Sequence, residues 1–284
     1  MTPVDPLIML NPSAQVLLRG DRAIQFGLDA SRAGIVEVPD APAIARCLAV
    51  LEQPTRIDDL LTALAAAGLD DVLARCLVDE LLGFGIARPV RRLEVLVVGR
   101  SRLALELTRL LRSLGVAVRI PVGDEGIEEV IPGISPARPV VLVDQFGWTA
   151  RAAGLVASTG NPVLSVTALD SRGLVGPVRP GGRKAGGPCP LCVELHWVRQ
   201  DGPFIVVAGE ASPLRQDPVA VAATAASAAS MVLSLLAARP AAVVDGECLL
   251  IDPHCPDRAQ RFSLAAHPGC PACFELGVAG VRAA

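Results

Sequence analysis

Alternation dominates the first forty residues. Val16 and Leu18, then Ile24, Phe26 and Leu28, fall on every second position either side of Arg19-Gly20-Asp21-Arg22. Period-two patterning broken by a polar glycine turn predicts antiparallel strands, and Gly34–Val38 reads as a third. The period then lengthens. Ile44, Leu48 and Leu51 recur at helical spacing, as do Ile57, Leu60, Leu61 and Leu64, and then Leu73, Leu77 and Leu81. Thr55-x-x-Asp58 reads as a capping box for the second helix, Asp70 or Asp71 as the cap of the third, with Gly83 and Gly85 at its end. Strands followed by three helices predict a winged-helix-like module over residues 1–88, closed by the charged hinge Arg88-Pro89-Val90-Arg91-Arg92.

Over residues 89–284 strands and helices alternate. Leu93–Val98 is a near-continuous apolar run, as a strand buried on both faces requires. Leu103, Leu107, Leu110, Leu111 and Leu114 mark an amphipathic helix, and Val116–Ile120, Val140–Val143 and Pro162–Val166 supply further strands. The pattern predicts a Rossmann-like, mostly parallel sheet with helices on its faces, so the fold class is α/β. Gly173 to Gly187 reads as a long crossover loop. Val219–Ala238 carries no charge and is long enough to span a bilayer. It is alanine-rich, however, with Thr224, Ser227, Ser230 and Ser234, and Asp217 and Pro218 suit a helix start. That composition predicts a helix packed closely on the sheet rather than a membrane span. A last strand pair is expected near Ala242–Ile251 and Arg261–Ala265.

Composition narrows the partners. Of 284 residues, 51% are apolar and 19% charged, the net charge is −3, and tyrosine is absent. Neither a basic patch nor an aromatic stacking platform is in sight, which argues against nucleic acid. The third helix, with Asp71, Arg75, Asp79 and Glu80, is too acidic for a phosphate backbone and better suited to a peptide. The opening MTPVDPLIML lacks the basic and long apolar regions of a secretory signal, so a cytoplasmic location is expected.

Two Cys-x-x-Cys pairs, Cys189/Cys192 and Cys270/Cys273, carry the clearest chemistry. Each lies in a Pro/Gly-rich knuckle, GGPCPLC and HPGCPAC. Two turns bearing two thiolates each complete a tetrahedral set, which zinc fills without an open position. A structural zinc site is expected; redox dithiols are the alternative. Cys47, Cys76 and Cys248, set in apolar runs, read as small core residues, and Cys255 as a spare exposed thiol. His196 reads as a hydrogen-bonding neighbour of the knuckle, His267 as fixing the second knuckle's entry, and His254 as part of a polar loop.

The turn after the first parallel strand is where such folds cradle phosphate, with G-x-G-x-x-G expected. This chain has Gly99-Arg100-Ser101-Arg102-Leu103-Ala104, so Ser101 places a side chain where phosphate should approach. No acid ends the strand Val116–Ile120 to hold a ribose. Gly99 and Ser101 therefore mark a degenerate nucleotide site, and productive nucleotide binding is not expected.

The segment Gly173-Leu-Val-Gly-Pro-Val-Arg-Pro-Gly-Gly, then Gly187-Pro-Cys-Pro-Leu-Cys-Val-Glu-Leu-His196, together with His267-Pro-Gly-Cys-Pro-Ala-Cys273, resembles the ThiF-like, ubiquitin-activating-type fold. The likeness is to the branch found in biosynthesis of azoline-containing modified peptides. It covers most of the chain from residue 14 onward, specific at the knuckles and generic in the strands. In active members, the resemblance implies, a D-x-x-D after the third strand holds magnesium. Here Asp144-Gln145-Phe146-Gly147 keeps the first acid and loses the second, so the resemblance adds Asp144 to the degenerate nucleotide site and productive ATP binding is not expected. The resemblance thus implies a non-catalytic, zinc-stabilised scaffold that binds a precursor leader peptide and presents it to a partner ATP-dependent YcaO-type cyclodehydratase, as in bacteriocin-like biosynthesis. Its peptide groove would lie between Ile35–Val38 and Asp71–Leu82, with Ile35, Val36, Val38, Leu73 and Leu77 lining it. Pairing into a homodimer is also implied. The alternative is an adenylating enzyme acting on a peptide or carrier-protein carboxylate. A regulatory protein that keeps the fold without any modified peptide is a third reading.

Overall fold

Leucine and isoleucine side chains at helical and strand spacing organise the first part of the chain around one core. The computed structural model describes residues 7–29, 31, 34–123, 125–147, 149–182, 187–210, 215–236 and 244–275. The chain divides into two units, Met1–Arg92 and Leu93–Ala284.

In the first unit, β1 (Leu7–Leu10) precedes the meander β2 (Val16–Leu18), β3 (Ala23–Phe26) and β4 (Gly34–Glu37), which pair antiparallel in that order. Alternation holds in β3, where Ile24 and Phe26 point into the core, but not in β2, where the expected inward Leu18 is exposed, and Leu28 lies exposed beyond the end of β3. Helix α1 (Ala41–Ala49) is capped by Asp40, which accepts from the Ala43 amide, and it buries Ile44 and Leu48. A short strand β5 (Thr55–Arg56) leads into α2 (Ile57–Ala66), followed by α3 (Asp71–Gly83) and β6 (Ala87–Pro89).

Three expectations change here. Thr55 does not cap α2. It sits in β5 opposite Ile8, its hydroxyl donates to the Val50 and Gln53 carbonyls, and the N-cap position falls on Arg56. The start of the expected hinge is strand, because β6 pairs with β1 in a second sheet of order β5-β1-β6. The buried face of α3 is Ala74, Leu77, Val78 and Leu81, an i, i+3, i+4, i+7 set, so Leu73 and Cys76 lie outside it and are exposed. Asp70 is the cap, accepting from the Val72 amide.

The second unit begins with β7 (Glu94–Val98), α4 (Arg102–Ser113), β8 (Ala117–Arg119), α5 (Ile127–Val130), β9 (Val140–Val143), α6 (Thr149–Thr159) and β10 (Val163–Leu169). It continues with β11 (Arg172–Arg179), α7 (Pro190–Gln200), α8 (Phe204–Glu210), α9 (Pro218–Leu236), β12 (Glu247–Ile251), β13 (Gln260–Ser263) and α10 (Pro271–Glu275). The sheet order is β13-β12-β11-β10-β9-β7-β8; β10, β9, β7 and β8 are parallel, and β11, β12 and β13 extend them antiparallel. Alternation assigns the two faces. Val95, Val97, Val141, Val143, Leu164 and Val166 pack with Leu103, Leu107 and Leu111 of α4 and with the small residues of α9. Leu96, Val98, Val140, Leu142 and Val163 pack with Val130, Ala152 and Val156 on the other face.

Much of the expected crossover loop is the strand β11. Its glycines are demanded by packing: a Cβ on Gly173 would lie 1.7 Å from Thr224 Oγ1, and one on Gly176 2.3 Å from the Glu247 carbonyl. Residues 183–186 of that segment lie outside the described residues. Helix α9 is long and apolar enough to cross a membrane by length and composition. Ala220, Val221, Thr224, Ala225, Ala228, Ala229, Met231 and Val232 bury one side of it inside the unit. Its expected last residues, and the start of the expected strand at Ala242, fall outside the described residues.

Candidate metal centre and the neighbouring crevice

Both knuckles converge. Cys189 is the N-cap of α7 and Cys192 stands one turn on, its amide donating to the Cys189 carbonyl at 2.9 Å. The second knuckle repeats the device: the Cys270 amide donates to the His267 carbonyl at 2.9 Å, and α10 carries Cys273. All four thiols are fully buried. Their Sγ atoms lie within 4.8 Å of one another, with separations of 3.8 Å (Cys189–Cys192), 3.5 Å (Cys189–Cys270) and 3.4 Å (Cys192–Cys273). Four sulfurs about 2.3 Å from a shared ion would stand roughly 3.8 Å apart. Disulfide bonding needs about 2.05 Å, and all eight cysteines are free.

The protonation chemistry fits a cation. Hydrogen bonding with Cys192 and Cys273, then burial, pushes the Cys189 thiol far up. Accepting from Cys189 and Cys192 holds Cys273 down as a thiolate. With Cys189 and Cys192 both raised and only Cys273 lowered, the set is not four thiolates by itself, and ligation through all four sulfurs would need the central positive charge of a cation. The His267 amide donates to Cys192 Sγ at 3.2 Å, a contact that orients and calms the sulfur. His196 Nε2 meets the Ala265 carbonyl at 3.0 Å, and its ring packs edge-on to His267 with centroids 4.9 Å apart. Both histidines thus frame the knuckles. His254 faces Asp217 at 3.2 Å, which in turn accepts from the Ala220 amide to cap α9.

Glu194 escaped the sequence reading. Although 92% buried (8% exposed), it accepts from Thr149 Oγ1 and, at 3.2 Å, from the Gly147 amide, tying α7 to the loop after β9. Burial raises its pKa, partly offset by the Gly147 hydrogen bond. The only signal was its register, four residues past Pro190, which puts the two buried residues on one side of α7.

At the ends of β7 and β9 the residues of the expected nucleotide turn are engaged by the chain itself. Gly99 has φ +154°, and a Cβ there would lie 2.6 Å from the Val143 carbonyl, so its role is close packing. The Ser101 side chain is buried and accepts from the Ala104 amide, capping α4 where phosphate would approach. Arg100 donates to the Gly123 carbonyl. Asp144 has both oxygens engaged, Oδ1 by the Ala168 amide at 2.9 Å and Oδ2 by Gln216 Nε2 at 2.8 Å.

In the first unit β4 is an edge strand of its sheet. Ile35 is half exposed, Val36 partly buried and Val38 buried; on α3 Leu73 is exposed and Leu77 buried. A Cβ on Gly34 would lie 3.3 Å from Ile86, so β4 begins beside the chain leaving α3.

No protein-family model matches the chain, and no curated protein matches it. Solved structures do. A heterocyclase in complex with substrate and cofactor aligns over 94% of this chain with TM-score 0.56 and 15% identity, and the heterocyclase TruD with the same coverage and TM-score at 13%. MccB of E. coli, solved with succinimide, aligns over 94% with TM-score 0.50 and 10% identity. The chain spans about two fifths of those heterocyclases, 39% and 43%, but 99% of MccB. At such identities the likeness is one of fold: this chain shares a fold with these heterocyclases and MccB, in keeping with the resemblance carried by the knuckle motifs.

Proposed function

We propose that this chain is a non-catalytic scaffold, stabilised by zinc at Cys189, Cys192, Cys270 and Cys273, that binds a precursor leader peptide and presents it to a separate ATP-dependent YcaO-type cyclodehydratase. The observation that carries the reading is Asp144. The acid expected to hold magnesium spends one oxygen on the Ala168 amide and the other on Gln216, while Ser101 caps α4 in the phosphate turn. Zinc suits the four buried sulfurs because it is redox-inert and accepts a closed tetrahedral set. The winged-helix-like first unit supplies the peptide site: β4 is an edge strand among the described residues, at which a leader adds a strand, with Ile35 and Leu73 giving apolar contacts. The fold likeness supports a place in modified-peptide biosynthesis.

The test is calorimetric titration of the metal-analysed full chain with candidate leader peptides and, separately, with magnesium–ATP. Saturable peptide binding, one zinc per chain and no ATP heat are expected. Peptide-dependent exchange of labelled pyrophosphate into ATP would establish the adenylating enzyme instead.

A further inference from the structure

Strand β13 ends the seven-stranded sheet, and all four of its residues are exposed. No strand among the described residues pairs with its outer edge. The covering helices leave a cleft on each face of the sheet beside it. On one face Leu174, Val193, Trp197, Cys248, Leu250 and Phe262 line a largely apolar cleft of about 270 Å³. On the other, Ser227, Ser230 and Ser234 of α9 stand across from Leu249, Glu247 and Arg261 around an opening of about 410 Å³. Such a bare edge is a template for another strand unless it is blunted, and alternate side chains of an added strand would enter the two clefts in turn.

The chemistry selects the occupant. The apolar cleft is the size of one large side chain, below the ~300–1,000 Å³ of small-molecule sites. Arg172 is the only charged residue on its wall and makes no ion pair among the described residues. Glu247, on the opposite face, is already paired with Arg261 at 2.9 Å. We infer that β13 is a second peptide-docking edge, which takes an extended segment alternating large apolar with small polar side chains and carrying an acidic residue for Arg172. This goes beyond the leader groove of the first unit and stands whether or not that groove is correctly assigned.

The probe is a short capped peptide alternating serine with phenylalanine and leucine and ending in glutamate, titrated into the full chain with Trp197 fluorescence as readout. Saturable binding is expected. N-methylation of its edge-facing amides should weaken it about tenfold, the loss of roughly two net hydrogen bonds. Phe262→Ala should weaken it several-fold without changing metal content, and Arg172→Gln should abolish the preference for glutamate over glutamine in the probe. Val36→Pro, which disrupts the leader groove, should leave this binding unchanged. Absence of saturable binding, indifference to N-methylation, or sedimentation showing the edge covered by a second copy of the chain would overturn the assignment.

Discussion

Gly173 and Thr224 meet so closely that the helix–sheet spacing at α9 is set by one missing methyl group. A Cβ would stand 1.7 Å from Thr224 Oγ1 and 2.7 Å from its Cβ, and neither a strand nor a helix backbone yields that much. Gly173→Ala should therefore cost about 1–3 kcal/mol, the usual penalty of overpacking, measured by denaturant unfolding. Glu194 offers a pH test. Its pKa is raised above 4.5 by burial, so folding favours the protonated carboxyl. That stabilisation is full below the unfolded value and is lost as pH rises through the folded value. Glu194→Gln should unfold at higher temperature than the parent at neutral pH, with the difference vanishing below pH 4.5; an equal gap at both pH values would show that charge is not the cause. At this scale the knuckle cysteines were legible, because two metal-type turns need only their own residues to be recognised. Cys76 was not: an apolar run hides which side of α3 faces out until Ala74 and Val78 claim the inner side.

Edges and covers decide the elements. The meander was legible because period-two alternation and a Gly-Asp turn are local signals, and Ile24 and Phe26 turn inward as that pattern requires. Strand β11 was missed since its Gly and Pro residues read as loop, while the reason for them lies in α9 and β12, far along the chain. Thr55 failed as a cap for a related reason. Its backbone is recruited by β1 nearly fifty residues upstream, and tertiary pairing overrides a local capping signal. The exposed edge of β4 has a direct consequence for binding. Proline removes a backbone donor and is tolerated in sheets only at edges or bulges. Val36→Pro should lower leader-peptide affinity about tenfold or more in calorimetry with zinc content unchanged. Unaltered affinity would move the peptide site away from β4.

Across the whole molecule, the two units have separate cores. Every buried residue of the first cluster lies between Ile8 and Ala87, whereas the cysteine cluster draws only on the second unit, with Ala153 beside the four thiols. The parallel sheet and its covering helices were readable from alternating periods, since the central strands β7, β9 and β10 are largely buried on both faces. The altered nucleotide turn was readable only in part: the missing glycines and second acid showed in the sequence, but Gln216 reaching Asp144 depends on the chain's return seventy-two residues later. Metal should therefore act on one unit alone. Structural zinc sites draw their folding energy from the ion, and binding free energies of about 10–16 kcal/mol at pH 7 are as large as the whole stability of a typical domain, about 5–15 kcal/mol. Chelation, or Cys270→Ser, should lower the unfolding temperature of the second unit and release its knuckles. The first unit should keep its transition and its peptide affinity. Scanning calorimetry with metal analysis on the same sample reads both. A single transition that shifts as one would mean the two cores unfold together, and an unchanged profile after complete metal removal would mean the four sulfurs hold the knuckles without an ion.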